Sequence, residues 1–199
     1  MTVMSRGLIV VDVQNDFCEG GSVPVAGGAR LATAIADLVE RSAGGDYAYV
    51  VATRDHHIDP GTHFSDDPDF RDSFPVHCVV GEAGGEFHPG FAPVVTGGKV
   101  DAVFFKGAHS ASKSGFEGFD AQGAPLADWL RARGVEDLDV VGIATDHCVR
   151  ATALDAVAAG FRARVLLDYS VGVASDTTAA AVQDFHRAGV AVSGETPTR

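Results

Sequence analysis

Apolar, β-branched runs alternate along this chain with segments of helical period, and no other feature narrows the possible folds as much. The runs "GLIVVDV" (7–13), "YAYVVAT" (47–53), "KVDAVFF" (99–105) and "LDVVGI" (138–143) read as strands, "ARVLLD" (163–168) as a fifth and "GVAVS" (189–193) as a weaker sixth. Runs that are apolar throughout belong to a sheet covered on both faces. Between them, "GARLATAIADLVERSA" (28–43) sets Leu31, Ile35, Leu38 and Val39 at helical spacing. "PLADWLRARG" (125–134) reads as a helix with Pro125 in its first turn, and "TDHCVRATALDAVAAG" (145–160) and "SDTTAAAVQDFHRAG" (175–189) are helical patterns that, like it, end in Gly. The alternation predicts an α/β three-layer sandwich around a central, mostly parallel sheet of about six strands, joined by right-handed crossovers. Sites in such sheets form at the carboxyl ends of the strands. At 199 residues the chain is read as a single domain over 1–199, long enough to bury a core without disulfides or structural metal.

Charge and cysteine usage exclude several function classes. The net charge is −12 and the basic residues are scattered, so neither nucleic acid nor an anionic membrane surface is expected as a partner. No window approaches the ~20 apolar residues of a membrane span. The apolar run in "MTVMSRGLIVVDVQNDF" is too short for a secretion signal. Three cysteines do not suggest a disulfide framework, and the expectation is a reduced, cytoplasmic protein. Two segments, 54–98 and 107–124, are rich in Gly, Pro, Asp and His and interrupt the alternation; loops that long in a compact domain are usually functional.

Three reactive side chains stand at predicted strand ends. Asp12 interrupts the first run; it reads either as a polar residue at a strand exit or as a general base. Lys106 closes "AVFFK" in a chain that has only three lysines against twelve arginines, and Lys, unlike Arg, is a compact charge whose pKa can be tuned. Cys148 follows the fourth run. If Thr145 or Asp146 caps the next helix, Cys148 lies in its first turn, where free N–H groups and the dipole stabilise a thiolate. Alone, such a cysteine reads as core packing. Together, carboxylate, ammonium and thiol supply a base, a supporting cation and a nucleophile.

The first long loop carries a second constellation. "TRDHHIDPGTHF" contains Asp55, His57 and His63, and "FPVHC" adds His77; four of the eight histidines fall between 56 and 77. One carboxylate and three imidazoles form a mixed oxygen/nitrogen set suited to one divalent metal ion, Zn, Fe or Mn. The alternative is a solvated histidine-rich loop, and His56 and Cys78 compete for the ligand places.

Taken together, "IVVDVQNDFCEGGSVPV", "ATRDHHIDPGTHF", "FPVHC", "VFFKGAHSASKSGFEG" and "VVGIATDHCVRATALDA" resemble the nicotinamidase/pyrazinamidase branch of the isochorismatase-like cysteine hydrolases. The resemblance covers nearly the whole chain. It implies hydrolysis of nicotinamide to nicotinate and ammonia, with pyrazinamide as a further substrate, in a monomer or homodimer. It implies Cys148 as nucleophile, Asp12 as proton shuttle and Lys106 as supporting cation, with an oxyanion hole made by the backbone N–H groups of Ala144 and Cys148 across a cis Ile143–Ala144 bond. It implies a metal on Asp55, His57, His63 and His77 that binds the pyridine nitrogen, and Phe17, Phe74 and Ile143 against the substrate. Phe74 stands where relatives commonly carry Trp, and Lys113 where they often carry Tyr. Three alternatives remain: an isochorismatase-like amidase for another small amide, a regulatory module resembling a phospho-accepting receiver, or a catalytically silent isochorismatase-like binding protein. Receivers usually pair two acids after strand one, whereas Val follows Asp12 here.

Overall fold

Strands β1 (Ser5–Val11), β2 (Tyr49–Asp55), β3 (Ala102–Lys106), β4 (Val135–Ile143), β5 (Arg162–Val171) and β6 (Ala191–Ser193) form one sheet in a computed structural model that describes residues 5–42 and 45–195. Their order is β3-β2-β1-β4-β5-β6, and every neighbouring pair is parallel. Helices α1 (Gly28–Ser42), α2 (Ala92–Thr96), α3 (Leu126–Arg131), α4 (Cys148–Ala158) and α5 (Ser175–Ala188) cover it.

The period-two geometry of a strand divides the apolar residues into two cores. Ile9, Val11, Val51, Leu138 and Val140 point to one face, against Trp129 and Leu130 of α3, Val149 of α4 and Phe185 of α5. Leu8, Val10, Val50, Ala52 and Val141 point to the other, against Leu31 and Ile35 of α1 and Val94 of α2. That is the three-layer architecture expected from the runs. Each fully buried Leu or Ile contributes about 1.5–3 kcal/mol relative to exposure.

The edges of the elements differ from the sequence reading for local reasons. The third strand begins at Ala102, because its pairing with β2 starts at Val51↔Ala102 and Lys99 N closes the preceding turn on Val94 O. β5 runs past polar Asp168 to Val171, since pairing resumes after a register shift with Gly142↔Ser170 and Ile143↔Val171. At that shift Gly142 has φ 124°, and a Cβ there would lie 2.1 Å from Val11 O. Only glycine lets β1 and β4 approach this closely. Pro125 is the residue before α3 rather than in its first turn. Ala43, the end of the expected first helix, lies outside the described residues. Among the described residues no helix is long and apolar enough to cross a membrane.

The order of the strands locates the site. From β1 the chain proceeds outward to β2 and β3, then crosses back to β4 on the other side of β1. Ligands in open α/β sheets bind at such a reversal, beyond the carboxyl ends of the strands. Asp12 follows β1, Asp55 ends β2, Lys106 ends β3, and Cys148 opens the helix after β4.

Candidate active site

Lys106 is the hub of the site. Its Nζ lies 2.9 Å from Asp12 Oδ2, donates to Asp55 Oδ1, and stands 3.9 Å from Cys148 Sγ. The register Asp55↔Lys106 on adjacent strands puts two of these groups side by side. Lys106, Asp12 and Asp55 are all buried, where an unpaired charge would be severely penalised. Burial opposes the Lys106 charge, but Asp12 and Asp55 outweigh it and hold the ammonium protonated well above its ordinary range. Burial would also raise Asp55, yet Lys106 and His57 bring its carboxyl below the usual carboxylate range. Asp12 goes the other way: burial raises it despite Lys106.

The helix start corrects one expectation. Neither Thr145 nor Asp146 caps α4; the residue before it is His147, which makes no capping bond through its side chain. The Asp146 carboxylate turns away to accept from Val173 N at 2.9 Å and Ala174 N at 3.2 Å, tying α4 to the segment before α5. Cys148 is still the first helical residue. Its thiol is nevertheless pushed well above its ordinary range, chiefly by burial, with Lys106 opposing and Asp12 and Asp55 adding to the rise. Burial thus works against the thiolate that Lys106 and the helix terminus favour. Ligand atoms of Asp12, Asp55 and Cys148 all lie within 4.8 Å of one another, which puts the Asp12 carboxylate within reach of the thiol as a base.

The backbone beside Cys148 has the donors an oxyanion needs. His147 N and Val149 N both bond to Ala144 O, at 3.0 and 3.1 Å, and the Cys148 N–H between them is passed over. The Ile143–Ala144 peptide bond is cis, as the resemblance implied. Ile143, Ala144 and Cys148 line one pocket together with Phe17 and Phe74.

The histidine set converges at the wall of that pocket, which His63, His77 and Asp55 also line. Each Nδ1 meets a backbone carbonyl: His57 on Gly107 O at 2.6 Å, His63 on Asp72 O at 3.0 Å and His77 on Pro75 O at 2.7 Å. A carbonyl can only accept, so each Nδ1 carries the proton and each Nε2 keeps a lone pair. Candidate ligand atoms of the three rings lie within 4.8 Å of one another. His57 Nε2 is buried and has no hydrogen-bond partner, which fits a metal ligand and is costly otherwise. Burial lowers the pKa of His63 and of His77, keeping both neutral. Asp55 faces both constellations: Oδ1 takes Lys106, while Oδ2 lies 3.7 Å from His57 Nε2 and 3.9 Å from His77 Nε2. These four residues could hold one divalent ion. Gly107 has φ 76°, and a Cβ on it would come within 2.7 Å of the His57 ring, so glycine is what lets that carbonyl reach Nδ1.

The two competing ligands stand outside the cluster. His56 packs on Phe105 with ring centroids 4.9 Å apart. Cys78 is buried with its N–H on Asp16 Oδ2. Cys18 is apolar packing, its thiol pushed up to about 12 by burial and the nearby Glu19. Lys113 borders the pocket and donates to Arg71 O at 2.7 Å, next to the Asp72 carbonyl that orients His63.

Sequence reasoning passed over Thr53, Gln14, Ser112 and His147. Thr53 Oγ1 donates to Asp12 Oδ1 at 2.6 Å. It shares a strand face with Asp55 at i, i+2, and that spacing was the available signal. Gln14 takes the Asp55 N–H at 2.9 Å and donates to Asp55 O at 2.9 Å, fixing the end of β2. Ser112 and His147 line the pocket, and no pattern in the sequence distinguishes them from ordinary loop residues.

Comparison with known proteins identifies the family and the fold. The isochorismatase domain family matches residues 6–195. The chain is 56% identical over 185 residues to the nicotinamidase/pyrazinamidase of Mycobacterium tuberculosis, covering 93% of this chain and 96% of that one. Among solved structures it is similar to the pyrazinamidase of Pyrococcus horikoshii in complex with zinc, with a TM-score of 0.75 and 32% identity over 95% of this chain and 98% of that one. It is also similar to PnC1 from L. infantum in complex with nicotinate, with a TM-score of 0.80 and 31% identity over 96% and 92% of the two chains.

Proposed function

The chain belongs to the isochorismatase family, and from that premise we propose that it is a metal-dependent cysteine amidohydrolase that converts nicotinamide to nicotinate and ammonia and also accepts pyrazinamide. One observation carries the reading: Lys106 touches Asp12, Asp55 and Cys148, while the other oxygen of Asp55 faces two histidines. A thiol, a base and a cation meet a metal set through a single shared carboxylate.

In this mechanism Asp12 takes the proton of the Cys148 thiol as sulfur adds to the amide carbon. Lys106 holds the Asp12 carboxylate in place and balances the charge on sulfur. The carbonyl oxygen gains its negative charge against the N–H groups of Ala144 and Cys148, where one lost donor typically costs about 10²–10³ in turnover. Asp12 then gives its proton to the nitrogen, the C–N bond breaks and ammonia leaves a thioester. Water, deprotonated by Asp12, adds to that thioester; nicotinate departs and the thiol takes back its proton. Asp55, His57, His63 and His77 would hold a divalent ion, Zn, Fe or Mn, and that ion would supply a Lewis-acidic anchor for the pyridine nitrogen. Phe17 and Phe74 flank the ring.

The receiver-like alternative fails at Asp55, which is buried and already committed to Lys106. The three free cysteines, none paired, suit a reducing compartment, and we place the protein in the cytoplasm. The deciding experiment is ammonia release from nicotinamide by the wild type and by Cys148→Ala. Release that vanishes in the variant supports the reading. A folded, metal-loaded wild type that releases none removes the substrate, and release that survives the substitution removes the mechanism.

A further inference from the structure

Nicotinamide has three polar groups, and the mechanism above names a binding contact for two of them. The ring nitrogen goes to the metal set and the carbonyl oxygen to the N–H groups of Ala144 and Cys148. The carboxamide –NH₂ brings two N–H donors into a pocket walled largely by apolar side chains, and each needs an acceptor there.

Ser112 offers one. It lies on the turn that follows β3, is only 4% exposed, and lines the same pocket as Ala144 and Cys148. Its Oγ is buried without a hydrogen-bond partner in the protein. Leaving a hydroxyl so is costly, and an orphaned polar atom in a pocket wall is expected to find its partner in the ligand. The other polar groups of the wall are committed. The Nδ1 atoms of His63 and His77 are on backbone carbonyls, Lys113 Nζ is on Arg71 O, and Asp55 is on Lys106. His147 is only half-buried, so water can reach it, and it packs edge-on against Phe74.

We infer that Ser112 Oγ accepts a hydrogen bond from the carboxamide –NH₂ of the substrate, making it a specificity-determining residue for the leaving nitrogen. The inference rests on the nicotinamidase reading. A nitrogen held through its N–H keeps its lone pair free for the proton that Asp12 delivers. The contact therefore favours primary amides over carbonyl compounds that have the same ring and no N–H.

The test uses the full-length, metal-loaded enzyme and Ser112→Ala. Three quantities are measured: kcat/KM for nicotinamide, inhibition by pyridine-3-carboxaldehyde, and Tm. The aldehyde keeps the ring and the carbonyl and adds the thiol across C=O, but it has no –NH₂. Nicotinamide kcat/KM should fall about tenfold, the scale of one hydrogen bond in a dry site. Inhibition by the aldehyde should change less than about twofold, and Tm should hold or rise because a buried unpaired hydroxyl is gone. Unchanged nicotinamide kcat/KM overturns the inference, as does an equal loss for amide and aldehyde. A wild type inactive on nicotinamide would instead overturn the parent reading.

Discussion

At the scale of single residues, the site places one cation among three groups that each favour its charge. Lys106 is fully enclosed, with Asp12 at 2.9 Å, Asp55 in direct contact and Cys148 Sγ at 3.9 Å. Removing the ammonium leaves two buried carboxylates without compensation, which typically costs about 3–5 kcal/mol. Lys106→Ala should therefore lower stability by about that much, measured by denaturant unfolding, as well as abolish activity. Cys148→Ala takes away only a thiol from the same cluster and should unfold within about 1.5 kcal/mol of wild type. Equal stability of the two variants would contradict the role of Lys106 as the electrostatic hub. Asp12, Lys106 and Cys148 stood out in the sequence as candidates because Asp12 interrupts an apolar run, Lys106 ends one and Cys148 opens the helical pattern that follows another. Ser112 was not, since burial and a missing partner are properties of a folded environment.

At the scale of elements, the helix ends are held by groups that lie far from them in sequence. The α1 start uses Glu19, whose carboxylate accepts from Ala29 N at 2.8 Å and Gly27 N at 2.6 Å. The bond from Ala29, with that from Gly27, lowers the Glu19 pKa below its ordinary value. A group with a depressed folded pKa contributes stability that is complete above its unfolded pKa and is lost as pH falls through the folded one. Glu19→Gln should therefore lower Tm at pH 7 and have progressively less effect as pH falls below about 4. Glu19→Ala should cost about 1 kcal/mol at neutral pH, the usual worth of a helix-start acceptor. A Glu19→Gln deficit that stays constant from pH 7 to about pH 3 would contradict this account. The same principle explains the helix-cap misreading at α4. Thr145 and Asp146 have the chemistry to cap it, but His147 occupies the cap place and Asp146 is recruited by Val173 N and Ala174 N. That competitor lies 27 residues away and is adjacent only after β5 has paired with β4.

At the scale of the molecule, the histidine-rich loop after β2 brings His57, His63 and His77 together beside Asp55 at the end of that strand. His57↔Val79 and Phe64↔Phe74 pair parts of that loop with each other, Gln14↔Phe87 ties it to the segment after β1, and candidate ligand atoms of the three rings lie within 4.8 Å of one another. Loading a divalent ion that binds only the folded state adds about 4 kcal/mol of stability at roughly 1,000 times its Kd. For a chain of this size that corresponds to a Tm shift on the order of 10 °C. Stripping the metal with a chelator should lower Tm by that order and abolish nicotinamide hydrolysis, and Zn, Mn or Fe should restore both. A Tm and an activity unmoved by verified metal removal would separate these four residues from any ligand role.

The sequence by itself determined the class of fold and the candidates for chemistry. Apolar runs that read on both faces require a covered parallel sheet, and reactive side chains at their ends fall on one edge of it. The family followed from motifs whose order and context are jointly specific. What the tertiary structure decided were the relations between those candidates. It assigned one oxygen of Asp55 to Lys106 and the other to the histidines, set burial against Lys106 at the Cys148 thiol, and left Ser112 Oγ unpaired in the pocket wall. Sequence patterns report which face of an element a residue occupies. Ionisation, tautomer and partner depend on distances and burial among groups brought together from separate strands, and those exist only once the sheet has closed.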